Sequence, residues 1–124
     1  MKKITKDNLN EFIYYYHAFH DSYITNINYD IKKSEIELLI DVYWSGEPIK
    51  KEDKTYETNK TKMKIVFKGV EQFNTKEIFS WDYIYEAFIK YINIKNKEYI
   101  CFATDEENPQ IYIVCDQIEY EEMN

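Results

Sequence analysis

The sequence predicts an α+β protein that is mainly β: an antiparallel sheet or sandwich of about six strands with an N-terminal helix packed on it. Three observations carry this expectation. Apolar and polar residues alternate along Ile36–Trp44 and again along Met63–Phe67, the two-residue period of a half-buried strand. Aromatic residues make up 18% of the chain, thirteen of them tyrosines, and these favour pleated sheet. Helical spacing is clear in one segment, at the N-terminus. The length of 124 residues fits one domain spanning 1–124.

That helical segment places Leu9, Phe12, Tyr16 and Phe19 on one stripe, with Asn10 and Glu11 off it, and predicts a helix over 8–18 capped by Asp7. His20-Asp21-Ser22 ends it. Tyr23, Thr25, Ile27 and Tyr29 then alternate with Ile24, Asn26 and Asn28, and a turn at Asp30–Ser34 leads into a second strand. That strand sets Ile36, Leu38, Ile40, Val42 and Trp44 against Glu35, Glu37 and Asp41. Residues 45–60, with Gly46 and Pro48, read as a mobile loop that is functional or hides a short element, since structureless loops of that length are uncommon.

Met63, Ile65 and Phe67 point inward in the next strand, with Lys62, Lys64 and Lys68 outward and Gly69 at its end or at a bulge. Trp81–Ile94 fits helix and strand in part, and its β-branched and aromatic content predicts strand. Glu98–Thr104 and Ile111–Tyr120 form a hairpin with two apolar faces, which belongs in the middle of a sheet. A five-residue loop, Glu106 to Gln110, would set Cys101 opposite Cys115 and put Ile100 and Phe102 on one face with Tyr112, Val114 and Ile118.

Composition narrows the function. Every one of the 16 basic residues is lysine, and the net charge is −7. A nucleic-acid binder needs a basic stripe and favours arginine for bidentate contacts, so nucleic acid is not expected as a partner. Acidity instead suits a basic protein partner, or simply keeps the protein soluble. Two cysteines are too few for a disulfide framework. Met1-Lys2-Lys3-Ile4 is basic like a signal peptide, but Thr5-Lys6-Asp7-Asn8 follows where an apolar stretch should be, and no apolar run approaches a membrane span. A cytoplasmic protein with reduced thiols, and no membrane partner, is the expectation.

Candidate chemistry is sparse. His20-Asp21-Ser22 holds the residue types of a hydrolase triad, but consecutive side chains point apart, and Asp and Ser at a helix–strand joint serve backbone N–H groups. A structural motif is therefore expected there. His17, His20 and Asp21 could start a metal site but lack further ligands nearby in sequence, so neither metal nor cofactor is expected. Two glycines leave no phosphate-cradling loop. The expected contact surface is the acidic C-terminal hairpin, with Glu106 and Glu107 at its turn and Tyr120, Glu121 and Glu122 at its far end. The competing reading of Glu119–Asn124 is a frayed, solvated tail.

Phe19-His20-Asp21-Ser22-Tyr23-Ile24, the Ile36–Val42 strand and Ile65-Val66-Phe67-Lys68-Gly69-Val70 follow one another in an order that resembles small bacterial domain families of unassigned function with an F-H-D-[S/A]-x-[I/V] segment and a later F-x-G-V strand. Some of these are similar to immunity-protein families of polymorphic toxin systems. The resemblance covers about half of the chain and implies a β-rich fold and toxin neutralisation; it transfers no catalytic residue. Two functions follow as expectations: a non-enzymatic protein-binding module, or a small enzyme or ligand-binding domain with a pocket near His20.

Overall fold

The computed structural model describes residues 1–57, 59–76, 83–105 and 109–123. A mixed α+β fold results, dominated by a six-stranded antiparallel sheet with one N-terminal helix packed against it. In chain order the elements are β1 (Lys2–Lys3), α1 (Leu9–Tyr15), a 3₁₀ turn (His17–Phe19), β2 (Ser22–Asp30), β3 (Glu35–Val42), β4 (Ile49–Lys50), β5 (Tyr56–Glu57), β6 (Thr61–Lys68), β7 (Gln72–Thr75), β8 (Tyr83–Ile84), β9 (Phe88–Ile94), β10 (Lys97–Ala103), β11 (Ile111–Cys115) and β12 (Gln117–Met123). The large sheet runs β1-β12-β6-β3-β2-β8, and a second sheet runs β7-β11-β10-β9. The 45–60 segment does hold a short element, the two-stranded pair of β4 and β5.

The helix is shorter than its apolar stripe predicts. Thr5 and Asn8, not Asp7, start it: Asn8 Oδ1 accepts from the Thr5 N–H at 2.8 Å and Thr5 Oγ1 from the Asn8 N–H at 3.3 Å, a reciprocal lock of the capping-box type. After Tyr15 the chain leaves the right-handed helix, and His17, Ala18 and Phe19 take φ of 51°, 51° and 55°. This left-handed turn still delivers Phe19 to the core beside Phe12, with ring centroids 5.7 Å apart.

Strands β3 and β6 alternate as their sequences predict, burying Ile36, Leu38, Ile40, Val42, Met63, Ile65 and Phe67. In β2 a bulge at Thr25 breaks the register between Ile24 and Asn26, so inward positions change from Ser22 and Ile24 to Ile27. Trp81–Ile94 is not one strand. Trp81 lies outside the described residues, β8 joins the large sheet, and β9 joins the small one.

The β10–β11 hairpin does sit centrally in the small sheet, but its register differs by one from the expected pairing. Thr104, not Asp105, stands opposite Ile111: its N–H donates to the Ile111 carbonyl at 3.1 Å, and its Oγ1 accepts from the Gln110 and Ile111 N–H groups at 3.2 and 3.1 Å. Ile100 therefore pairs with Cys115 and Cys101 with Val114. Because strand side chains alternate, the slip exchanges the faces: Ile100 and Phe102 share theirs with Ile113 and Cys115.

Nor is Ile111–Tyr120 one straight strand. The chain bends at Asp116, and β12 crosses into the large sheet to pair with β6 along its whole length. The partner run bends in step at Gly69, so β6 and β7 belong to different sheets as well. Asp116 N–H donates to the carbonyls of Lys68 at 2.9 Å and Gly69 at 3.2 Å, and Gly69–Glu71 stand opposite Cys115–Asp116, three residues against two. Gly69 has φ +65°, and a Cβ there would lie 2.8 Å from Asp116 Cγ, so only glycine fits without displacing the corner. The core fills the space between the sheets, with Phe67 and Phe102 meeting at 5.1 Å.

Candidate functional site

An open cleft of about 1000 Å³ separates α1 from the β1–β12 edge of the large sheet. Its walls come from Glu11, Tyr14, Tyr15 and Tyr16 of the helix region, from Tyr120, Glu121 and Glu122 of β12, and from Met1 and Lys2 at β1. Local sequence builds each wall. The helical stripe buries Phe12 and Tyr16, so Tyr14 and Tyr15, which fall between them, must face outward; they are 74% and 48% exposed. Strand β12 alternates, so Tyr120 packs its ring on Phe12 at 4.6 Å. Asn8 Nδ2 donates to the Lys3 carbonyl at 2.9 Å and ties β1 to the start of the helix.

Tyr16 closes the floor. Its hydroxyl donates to Glu122 Oε1 at 2.7 Å, and burial together with that carboxylate holds the phenol far above its ordinary value, so it remains a neutral donor. Burial, with Glu122 and Glu11 nearby, also raises Tyr120. Three carboxylates, Glu11, Glu121 and Glu122, thus share an aromatic-walled cleft with one lysine. Such an arrangement can hold a cationic side chain by charge and by the ring faces.

Of the residues expected to bind a partner, the structure brings Tyr120, Glu121 and Glu122 to this cleft. Glu106 and Glu107 lie outside the described residues. Glu119–Met123 is paired strand, not a frayed tail; only Asn124 is undescribed. The sequence reading passed over Glu11, Tyr14 and Tyr15. Their signal was present: two adjacent tyrosines off the buried stripe of an amphipathic helix have no core to enter.

The His20-Asp21-Ser22 motif sits at the joint between the left-handed turn and β2, and its members divide the work. Ser22 is fully buried, and its Oγ accepts from the Tyr43 N–H at 3.1 Å. Asp21, at φ 62°, serves side chains instead of backbone: Oδ1 accepts from the Tyr83 hydroxyl at 2.6 Å and Oδ2 from Trp44 Nε1 at 3.4 Å, while His20 Nδ1 lies 2.9 Å from Oδ2. The Tyr83 hydroxyl, ahead of Trp44 and His20, holds the Asp21 carboxyl below its ordinary range. Tyr83 is in turn pushed up to about 12.

His17 Nε2 donates to the Gly46 carbonyl at 2.7 Å. Among the described residues no group of three His, Cys, Asp or Glu side chains is arranged to hold a metal ion. Neither the large cleft nor a second, apolar one of about 320 Å³ beside Tyr29 and Phe73 is lined by His17, His20 or Asp21. Cys101 and Cys115 are buried and free, and burial pushes the Cys115 thiol up to about 12. Among the described residues no helix is long and apolar enough to cross a membrane. No protein-family model matches the chain, and no curated protein matches it.

Proposed function

We propose that this chain is a non-enzymatic protein-binding module whose cleft between α1 and β12 receives a lysine- or arginine-bearing segment of another protein. The carrying observation is the cleft itself, which Glu11, Glu121 and Glu122 line together with Tyr14, Tyr15 and Tyr120. Charge steers a basic partner toward a protein of net charge −7, while tyrosine supplies contact area at low entropic cost. With the F-H-D-S resemblance added, the partner is a toxin and the module neutralises it in the bacterial cytoplasm.

Glu11→Lys combined with Glu121→Lys tests this reading, because neither side chain holds the fold together. A photo-crosslinking residue replacing Tyr14 should trap a partner with a basic surface in host lysate. The double variant should lose that product while melting within about 2 °C of wild type, as surface substitutions do. Equal capture by both proteins would place the surface elsewhere. Toxin neutralisation has its own arm: co-expression should rescue growth from the trapped partner, and the double variant should not.

One feature favours the other reading, a ligand-binding or catalytic domain. His20 Nδ1 lies 2.9 Å from Asp21 Oδ2, the kind of carboxylate–imidazole pairing that a general base uses. The adjacent Ser22 hydroxyl is buried and occupied by Tyr43, so it is unsuited to be the nucleophile of such a pair.

A further inference from the structure

We propose that the aromatic cluster held by Asp21 is a second docking point, which takes a guanidinium side chain of the same partner. This rests on reading the chain as a binder of a basic protein, and it names a chemistry and a place that the cleft does not supply.

Four tyrosines are exposed around Asp21: Tyr23 at 49%, Tyr43 at 38%, Tyr83 at 37% and Tyr85 at 61%. Exposed aromatic rings are ordinarily loose, and fixing them opposes binding. These are fixed already. Asp21 accepts from both Tyr83 and Trp44, Tyr23 packs on Tyr83 at 5.2 Å, Tyr43 on Trp44 at 5.4 Å, and Tyr85 on His20 at 5.1 Å. One carboxylate therefore organises rings from β2, β8 and the segment after β3.

Backbone geometry indicates that this arrangement is maintained against a cost. His17, Ala18, Phe19 and Asp21 all occupy the left-handed region, which L-residues with a Cβ avoid, and such outliers gather where a side chain must be aimed. Contacts from two directions hold the turn: His17 Nε2 donates to the Gly46 carbonyl, and the Ala87 N–H donates to the Ala18 carbonyl at 2.7 Å.

The occupant follows from the chemistry. Ring faces attract cations, and Tyr43 already carries the Lys60 ammonium 4.9 Å from its centroid. A carboxylate offers about four lone-pair sites, of which two accept the Tyr83 and Trp44 hydrogen bonds at Asp21, so its charge and further acceptor capacity remain for a donor. A planar guanidinium can stack on a ring and donate at the same time, which a compact ammonium does less well. The chain itself has no arginine to place there. Tyr15, one of the cleft walls, is tied to the segment that follows Trp44, because its carbonyl accepts from the Gly46 N–H at 2.8 Å.

The test uses full-length ¹⁵N-labelled protein titrated with N-acetyl-arginine amide, and follows the Trp44 indole N–H, assigned by Trp44→Phe. A saturable shift is expected, at least about 3-fold weaker for N-acetyl-lysine amide and absent for N-acetyl-glycine amide. Tyr83→Phe, which frees Asp21 and loosens the rings, should weaken arginine by a similar factor; Tyr85→Leu on the exposed rim serves if Tyr83→Phe does not fold. Equal shifts for all three amides, or no saturable shift at Trp44, would overturn the proposal. Shifts confined to Glu11 and Glu121 would also overturn it while leaving the cleft reading standing.

Discussion

The Tyr16 hydroxyl reaches Glu122 across 2.7 Å and so binds α1 to the last strand of the large sheet. Tyr16→Phe removes that bond while leaving the ring packed. The loss is expected to cost about 0.5–1.5 kcal/mol, because exposed Glu122 can turn to water, and urea unfolding at pH 7 measures it. Alkaline pH gives a second signature. Tyr16 is held protonated in the folded chain above its unfolded value of 10, so the unfolded state releases the proton first. Its contribution is complete below pH 10 and is lost as pH rises above it, by at most about 1.4 kcal/mol per pH unit. Buried Cys115 adds the same sign between 9 and about 12. Stability should therefore fall from pH 9 upward, and less steeply in Tyr16→Phe. A variant that tracks wild type through pH 11 would contradict this account.

Ser22 and Asp21 should separate by mutation. Ser22→Ala strands the Tyr43 N–H beside a fully buried position, at a cost of about 1–3 kcal/mol. Asp21→Asn keeps the shape and an acceptor at a half-exposed site, so its melting temperature should drop by less than that of Ser22→Ala. Calorimetry on both variants decides the order. A larger loss for Asp21→Asn would mean that the carboxylate, not the serine, secures the joint.

Cys101 and Cys115 should resist disulfide formation. They occupy opposite faces of the small sheet, since Cys101 pairs with Val114 and Cys115 with Ile100, and both are buried. A thiol reagent such as dithionitrobenzoate should react slowly with native protein and with both thiols in denaturant. Mild oxidation should leave the intact mass unchanged. A loss of two hydrogens in folded protein would show that the hairpin samples the register in which the cysteines face one another.

That register marks how far the sequence could be read. Period-two alternation located β3, β6 and the β10–β11 hairpin, because each buries one face or two against a core. Pairing offset is another matter. Thr104 sets it through its hydroxyl, and a threonine at a strand end carries no mark of which neighbour it will clamp. The bend at Asp116 was hidden for the same reason: Gly69 announces a bulge, but its partner lies 47 residues on. At the candidate site the acidic–aromatic end of β12 was legible from composition. Its union with Glu11 and Tyr14 needed the helix axis, which β1 and the Thr5–Asn8 lock determine. That Asp21 sits at a helix–strand joint was legible; that its partners would be Trp44 and Tyr83 was not, since both are distant in sequence.

The corner at Gly69 and Asp116 bears on how the chain comes together. Two continuous runs, β6–β7 and β11–β12, supply strands to both sheets, so neither sheet has an edge along which it could detach from the other. Zipping that ribbon requires segments some fifty residues apart to find each other, a long loop closure that comes late and slows the search to the millisecond-to-second range typical of non-local β folds. Once closed, it couples the two sheets, so core amides of both, such as those of Phe67 and Phe102, are expected to open to solvent together in one cooperative unit.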